Sequence, residues 1–432
     1  MQQQGYYRFP TVLNDQVVFA SEDDLWQVPL KGGIATRITA NLSTATSPKI
    51  SPDGKYLAYT ALEEGYQELY IKEINGSGQK RLTYLGGFTG PLAWSNDSKS
   101  IIFTSNFEQA FGTSIYKIGL KGGEPERLPM GHANRVSFGK KGVIIGRNNQ
   151  DSARWKRYKG GTAGKFWIDE KGDGNFKPFL KDFQSNLNSP MWIGSRIYFI
   201  SDHEGIANIY SSNTKGKDVK RHTDHDEFFV RNADSDGKTI VYHSGADLYS
   251  LKIGDAKPKK IKVDYISSQT QILRKFIDTP KYLEGCDISA KGTHVALAAR
   301  GKAVSFANWT GPVKQAGKKD GVRYREPNWL FDNKRFVTVS DEYDNEDRIL
   351  IVDPVKNKET LLKDIPVGRV RGIFPSPKNA QIVIANHRNE IIWIDLDKKK
   401  SKVLDKSDHF RIWSANWSPD AKWITYNFVD TP

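Results

Sequence analysis

One short sequence unit recurs along the chain about every 40 to 45 residues, and it limits the possible folds more than any other feature. Its clearest copy is the turn Ser51–Lys55 (S-P-D-G-K), followed by the strand-forming run Tyr56–Thr60, then Glu68–Lys72 and Arg81–Thr83. Such turns form because Pro presets φ, Asp bonds its own backbone and Gly accepts positive φ. The unit therefore predicts about four short strands joined by turns, as in one blade of a β-propeller.

Ten turns that open such units can be followed through the sequence. They lie at residues 14–15, 52–54, 96–98, 139–142, 194–195, 234–237, 290–292, 332–334, 376–379 and 418–422. The spacing stretches between the sixth and seventh turns, across a polar, lysine-rich segment, so we expect a domain junction near residue 275.

The pattern predicts an all-β chain with two domains. The first is a six-bladed β-propeller over residues 1–275, and the second is the start of another propeller over residues 276–432. Only one strand of the tenth unit precedes Pro432. Because closed rings usually contain about four to eight blades, we expect the second propeller to be truncated in this sequence.

Composition excludes several protein classes. The chain has 432 residues with 38% hydrophobic content, and it contains no apolar run long enough for a membrane span and no secretory signal. Its one cysteine, Cys286, excludes an internal disulfide and fits a reducing compartment. Since free cysteines are usually buried, we expect Cys286 to be a small buried hydrophobe. A cytoplasmic location without membrane contact follows as an expectation.

The formal net charge of +14 favours polyanions or acidic peptides as partners. The lysines, however, are spread over turns, and the densest runs, 257–262 and 398–402, fall in connections between strands. No nucleic-acid-binding module accompanies them. We therefore expect solvated loop faces and no nucleic-acid partner.

A direct search for catalytic and metal-binding motifs gives weak candidates. The sequence has no G-x-S-x-G elbow, and Gly160–Lys165 lacks the first glycine and the Ser/Thr of a P-loop. The segment His222–Glu227 has zinc-type ligands, but a polar loop is favoured. Asp169–Asn175 resembles part of a calcium loop and is interpreted as a hairpin turn. Neither a cofactor nor a metal is expected.

An acidic run, Ser340–Asp347, lies between two predicted strands of the second domain. The favoured interpretation is a solvated loop. A contact between subunits, or with a basic ligand, is the alternative.

Two stretches resemble a known family. The repeats as a whole look like propellers of the TolB and prolyl-oligopeptidase kind, but Ala20–Trp26 with Arg37–Leu42 is similar to the opening of tricorn proteases. So is Ile145–Asn148 followed by Trp155–Ile168, with the pattern W-K-x-Y-x-G-G-T-x-G-K-x-W-I. The last pattern is the most specific motif in the sequence, and the resemblance extends over essentially the whole chain.

The resemblance implies more than the residues themselves predict. Tricorn proteases are described as a six-bladed propeller, a seven-bladed propeller and a C-terminal serine-peptidase core, assembled as homo-hexamers that degrade oligopeptides. No position here matches the catalytic residues of that core. The family is described as holding a peptide's C-terminal carboxylate with a basic pair, whose aligned positions here are Gly142 and Val143. The nearby Lys140 and Lys141 are therefore the candidate substrate-binding residues.

The favoured hypothesis is a non-catalytic propeller portion of a tricorn-like serine peptidase. It would gate or guide oligopeptides to and from a catalytic core absent from this sequence, within a homo-oligomer. The alternative is a stand-alone TolB-like propeller that binds a protein partner. Whether the chain itself is part of an enzyme stays open at this point.

Overall fold

The computed structural model describes residues 5–109, 111–149, 151, 154, 156–267, 277–317, 320–429 and 431. The chain divides into two compact units, Met1–Leu273 and Arg274–Pro432. Within the described residues the regular structure is strand throughout, apart from a three-residue 3-10 turn at Pro280–Tyr282. No described helix could cross a bilayer. The junction expected near residue 275 falls outside the described residues.

The first unit contains 26 short strands in its described part. The strands up to the end of the third sheet are β1 (Arg8–Leu13), β2 (Gln16–Ser21), β3 (Asp24–Pro29), β4 (Gly33–Ile34), β5 (Thr36–Arg37), β6 (Ala45–Ile50), β7 (Tyr56–Ala61), β8 (Glu68–Glu73), β9 (Gln79–Arg81), β10 (Thr89–Trp94), β11 (Ser100–Ser105), β12 (Ser114–Gly119) and β13 (Glu126–His132). The remaining strands of this unit are β14 (Arg135–Phe138), β15 (Val143–Arg147), β16 (Lys165–Asp169), β17 (Lys177–Phe179), β18 (Leu187–Ile193), β19 (Arg196–Ser201), β20 (Asn208–Asn213), β21 (Lys220–Arg221), β22 (Val230–Ser235), β23 (Thr239–Ser244), β24 (Asp247–Lys252), β25 (Lys259–Lys260) and β26 (Val263–Asp264).

All of these strands except β4 and β26 form six antiparallel four-stranded sheets, from β1-β2-β3-β5 to β22-β23-β24-β25. An apolar core lies between each pair of consecutive sheets, and a further core joins the sixth sheet to the first. In that closing core Val17 and Phe19 of β2 lie with Val241 of β23 and Leu248 of β24. A single sheet has two apolar faces, so its strands become stable only when both faces are covered by neighbours. The described sheets thus follow one another around a closed circle.

Two segments of the repeat, Glu68–Lys72 and Arg81–Thr83 in the second sheet, are held together by a buried acid. The Glu68 carboxylate is fully buried at the start of β8. It accepts hydrogen bonds from Thr83 Oγ1 at 2.6 Å and from the backbone N–H groups of Leu85 at 2.7 Å and Gly86 at 2.9 Å. The Arg81 guanidinium lies 3.3 Å away. In the first and fifth sheets, Asp24 and Asn208 accept the equivalent hydrogen bonds from the hydroxyl groups of Thr39 and Thr223. The repeated sequence therefore encodes a set of polar contacts between the third strand of a sheet and the segment after its fourth strand. We call these contacts the clasp.

The circle closes without exchange of a strand between the first and last sheets. Instead β26 pairs in parallel with β4, through bonds from Gly33 N to Lys262 O and from Ala35 N to Asp264 O. The buried Tyr265 ring then packs edge-on against Tyr7, with centroids 5.4 Å apart, and lies 4.7 Å from the ring of Trp26. These backbone bonds and the aromatic cluster thus add to the closing apolar core.

The first strand of each sheet has an unusual backbone. In five of the six, β14 being the exception, the pairing register shifts at a bulge. Four bulges contain a non-glycine residue with left-handed φ: Phe9 (50°), Ser47 (53°), Ser189 (47°) and Asn232 (49°). Proline follows the first three of these residues, at Pro10, Pro48 and Pro190. Bulges and prolines both interrupt the regular hydrogen-bonding edge of a strand.

The second unit repeats the same plan. Its strands are β27 (Leu283–Ile288), β28 (His294–Ala299), β29 (Lys302–Ala307), β30 (Lys314–Ala316), β31 (Tyr324–Trp329), β32 (Phe336–Tyr343), β33 (Glu346–Asp353), β34 (Lys358–Leu361), β35 (Val370–Pro375), β36 (Gln381–Asn386), β37 (Glu390–Asp395), β38 (Lys400–Lys406), β39 (Ala415–Trp417) and β40 (Ile424–Tyr426). They form three four-stranded sheets and the two-stranded sheet β39-β40 in the described part. Apolar cores again join consecutive sheets.

Two local predictions for the second unit are wrong. Cys286 is exposed, because the face of its strand β27 that carries Leu283 and Ile288 is exposed as well. The acidic run Ser340–Asp347 is mostly strand rather than loop. Strands β32 and β33 are eight residues long and continue through it to a two-residue turn at Asp344 and Asn345, both with left-handed φ.

Candidate functional site

A cavity of about 800 Å³ lies where the first strands of the six sheets in the first unit come together. Residues from β1, β6, β10, β14, β18 and β22 all line it, and we call it the axial cavity. All six strands run in the same sense along it, because each continues into the turn that opens its repeat unit. One end of the axial cavity is therefore surrounded by strand starts and the other by the opening turns.

Ion pairs neutralise most of the charge on the wall of the axial cavity. Lys49 on β6 lies 2.5 Å from Asp234 on β22. Asp151 lies 2.5 Å from Arg231 on β22. Arg135, at the start of β14, has no carboxylate within 4 Å among the described residues, and its guanidinium donates to the carbonyl oxygen of Asn134. Burial lowers the pKa of Arg135, whereas the Asp151 carboxylate acts in the opposite direction.

The segment between β15 and β16 brings Asp151 to the end of the axial cavity that is formed by strand starts. Asp151 pairs with β22 of the sixth sheet, and the backbone N–H of Arg157 donates to Asp202 beside the fifth sheet at 2.7 Å. The described residues of this segment therefore connect the fourth sheet to the fifth and sixth at the end formed by strand starts.

A buried histidine, His243, lies near the end of the axial cavity that is formed by strand starts. His243 on β23 pairs with Arg231, and the ring of Phe9 lies 6.5 Å from the imidazole ring. Both ring nitrogens are buried without a hydrogen-bond partner among the described residues. Burial, assisted by Arg231 and Arg8 against the opposing effect of Asp151, lowers the pKa of His243 to about 3. The folded state therefore keeps this imidazole neutral.

We predict that His243→Gln reduces the acid sensitivity of the first unit. An unfolded histidine gains a proton below its ordinary pKa of about 6.5, whereas folded His243 does not, so stability falls as the pH falls. Between pH 6.5 and 5 this difference is worth about 2 kcal/mol, which the variant should no longer lose. Urea unfolding at several pH values measures the slope. His132→Gln, at an exposed position of the same unit, is the control. Equal slopes for His243→Gln and the wild type would refute the prediction.

The structure places the predicted substrate-binding lysines at the other end of the axial cavity. Lys140 and Lys141 are exposed in the hairpin between β14 and β15, whose ends are joined by a bond from Gly139 N to Gly142 O. Arg135 begins β14, whereas Lys140 lies in the turn beyond the end of that strand. The two lysines do not line the cavity wall, although Phe138 next to them does. Their role as substrate-binding residues stays a prediction.

The weak metal-binding motifs have structural explanations. His222 Nε2 lies 2.7 Å from Ser211 Oγ, and His225 Nε2 lies 3.0 Å from Tyr242 Oη, so the two imidazoles serve different contacts. The Asp169 carboxylate accepts four backbone N–H bonds from residues 171–174, which lowers its pKa and holds the β16–β17 hairpin. That hairpin turn is as predicted. Among the described residues no group of three or more potential ligands could hold a metal ion.

Sequence reasoning missed the residues of the axial cavity itself. Arg135 belongs to no motif, and its position on the wall depends on five other strands. The sequence does contain an indication of the bulges, because a proline falls near the start of most first strands, as in Ser47-Pro48 and Ser189-Pro190.

Comparison with known proteins identifies both units. The model of the tricorn protease N-terminal beta propeller domain matches residues 4–257, and the model of the tricorn protease second beta propeller domain matches residues 283–432.

Individual relatives agree. A tricorn protease homolog of Saccharolobus solfataricus is 33% identical over 431 residues, which are 99% of this chain and 39% of that protein. A putative tricorn-like protease N-terminal subunit of Sulfurisphaera tokodaii is 36% identical over 172 residues, 38% of this chain and 86% of that protein. The crystal structure of the tricorn protease superposes with a TM-score of 0.80 at 26% identity, covering 99% of this chain and 42% of that one. The chain thus spans about two fifths of its long relatives.

Proposed function

The chain belongs to the tricorn protease family, and we propose that its first unit is a passage through which oligopeptides reach or leave the catalytic part of a tricorn-type serine peptidase. The axial cavity is the observation that carries the proposal. Its volume of about 800 Å³ falls in the range of cavities that enclose small ligands. Catalysis would depend on residues outside these 432. The proposal also includes a cytoplasmic location and assembly of the protein as a homo-oligomer.

The charge distribution supports a passage for varied peptides. The Lys49–Asp234 and Arg231–Asp151 pairs leave little net charge on the wall, so neither acidic nor basic side chains are repelled from it. Bulges and prolines interrupt the wall's backbone edge. Lys140 and Lys141, exposed at one end, would attract carboxylates there.

We predict that blocking the axial cavity slows cleavage of long peptides selectively. In full-length protein with Cys286→Ser, Ala93→Cys on the cavity wall is labelled with a bulky maleimide. We expect kcat/KM to fall about 10-fold for a peptide of about ten residues and less than about twofold for a dipeptide-sized substrate, since only the long peptide needs the passage.

The control is Leu42→Cys, labelled in the same background. Leu42 is 99% exposed and does not line the cavity. If labelled Ala93→Cys protein cleaves the long peptide at the unlabelled rate, the passage proposal is wrong. Binding of a protein partner by the propeller would then be the better hypothesis.

A further inference from the structure

An ion pair in the first unit joins two sheets that are not neighbours. Lys49 lies on β6 of the second sheet and Asp234 lies on β22 of the sixth, and Lys49 Nζ is 2.5 Å from Asp234 Oδ1. The first sheet lies between these two sheets, since its strand β1 packs against both β6 and β22. We call this contact the cross-ring ion pair.

The cross-ring ion pair passes β1 on the side of the axial cavity. Apolar cores fill the spaces between the first sheet and its two neighbours, so the two side chains can meet only in front of the inner edge of β1. Both residues line the cavity, with 21% of the Lys49 side chain and 20% of the Asp234 side chain exposed. The cross-ring ion pair therefore occupies part of the cross-section of the axial cavity.

The two ends of the cross-ring ion pair lie at the same depth in the cavity, and both are held in place. Each end follows the left-handed bulge residue of its strand by two positions, Ser47 on β6 and Asn232 on β22. Each backbone pairs with the second strand of its own sheet. The indole of Trp94 also donates to the carbonyl oxygen of Lys49 at 2.9 Å. Because the backbones are fixed, the contact opens only if the two side chains separate.

A second ion pair has the same arrangement nearer the end formed by strand starts. Arg231 on β22 of the sixth sheet lies 2.5 Å from Asp151, which follows β15 of the fourth sheet, so this contact passes the fifth sheet. Asp151 lines the axial cavity, and Arg231 precedes Asp234 by three residues on β22. The fold thus places two contacts between non-adjacent sheets at different depths of one cavity.

We propose that the cross-ring ion pair limits the width of the polypeptide that can move through the axial cavity. A slender extended peptide passes beside it, whereas a peptide with a bulky side group passes only when Lys49 and Asp234 separate. This inference rests on the proposed passage of peptides and adds a size limit to it. Lys49 and Asp234 are then the residues that determine the specificity of the passage for narrow chains.

Cleavage of two matched peptides by full-length protein tests the proposal. Both have the length of the long peptide used to test the passage and carry no charged side chain, and the second bears a large fluorophore on a central side chain. Lys49→Asp breaks the pair and places two carboxylates face to face. We expect kcat/KM to rise about fivefold for the bulky peptide, the equivalent of one partly exposed ion pair, and to change less than about twofold for the slender peptide.

Comparison of variant and wild type on the same peptide cancels any effect of the fluorophore on the catalytic part. Adding Asp234→Lys to Lys49→Asp restores an ion pair in the opposite orientation, and the rate for the bulky peptide should return to within about twofold of the wild type. Lys49→Met removes the pair without facing two carboxylates, so it should give the same rise even if Lys49→Asp fails to fold.

The matched control is Lys215→Asp. It breaks the 2.7 Å ion pair between Lys215 and Glu170, which joins hairpins of the fifth and fourth sheets, and neither residue lines the axial cavity. The substitution makes the same change in charge as Lys49→Asp, and both cleavage rates should stay unchanged.

Two results would overturn the inference. If Lys49→Asp and Lys49→Met cleave the bulky peptide at the wild-type rate, or accelerate both peptides equally, the cross-ring ion pair sets no size limit. The passage itself stands in that case if labelled Ala93→Cys protein still cleaves the slender peptide slowly. If that label has no effect either, the passage proposal fails together with the size limit.

Discussion

Replacing Glu68 with alanine is expected to lower the free energy of unfolding of the first unit by about 4 kcal/mol. The carboxylate is fully buried and accepts bonds from Thr83 Oγ1 and from the backbone N–H groups of Leu85 and Gly86. Without it these donors lose their partners inside the protein, and Arg81 loses its buried carboxylate while keeping its contacts with Glu64, the carbonyl oxygen of Thr83 and the ring of Tyr84. Each unsatisfied buried donor costs about 1–3 kcal/mol.

The matched control for Glu68→Ala is Glu64→Ala. Glu64 contacts the same arginine at 2.5 Å, but its side chain is 61% exposed. An exposed ion pair is worth about 0.5 kcal/mol, so we expect a correspondingly small loss. Urea unfolding of the whole chain, followed by hydrogen exchange at amides of the first unit, measures both variants. Similar losses for the two would show that the buried clasp has no special role.

The second large effect is expected at the seam between the first and sixth sheets. Tyr265→Ala should lower the stability of the first unit by about 3 kcal/mol, because it leaves a cavity beside the rings of Tyr7 and Trp26. The amides of Gly33 and Ala35 donate to the backbone of residues 262 and 264 just before Tyr265. We therefore expect their hydrogen exchange to accelerate more than that of amides in the third sheet.

Tyr66→Ala is the control for the seam. Tyr66 is 63% exposed, and its truncation should cost about 0.5 kcal/mol or less. If Tyr265→Ala destabilises the third sheet as much as the seam, the unit unfolds as one cooperative body. The prediction of preferential opening at the seam would then be wrong.

The all-β fold with two propeller domains was predictable from the sequence, and so was the family. The reason is physical: each unit carries its own turn chemistry and its own strand-forming runs, as in Ser51–Thr60. Those local signals recur at an interval of about 40 to 45 residues in most of the sheets. The recurring segments Glu68–Lys72 and Arg81–Thr83 even contain residues of the clasp, although the sequence does not reveal the bond between Glu68 and Thr83.

The candidate site could not be predicted in the same way. Arg135 on the fourth sheet and Asn232 on the sixth are 97 residues apart, and they line one cavity because the six sheets close into a ring. The resemblance implies Lys140 and Lys141 instead. The prediction for Cys286 is wrong because the burial of a residue on a sheet depends on what covers that face, which a single strand does not reveal.

The bulges of the first strands have a consequence for any polypeptide inside the ring. An extended chain usually binds a sheet edge by adding to it as a further strand through main-chain hydrogen bonds. Pro10, Pro48 and Pro190 lack the N–H group that such addition requires, and the neighbouring bulges break the register. A peptide between these strands would therefore gain no ladder of main-chain bonds. The inner wall therefore disfavours strand addition, and a peptide there would be held by contacts with individual side chains.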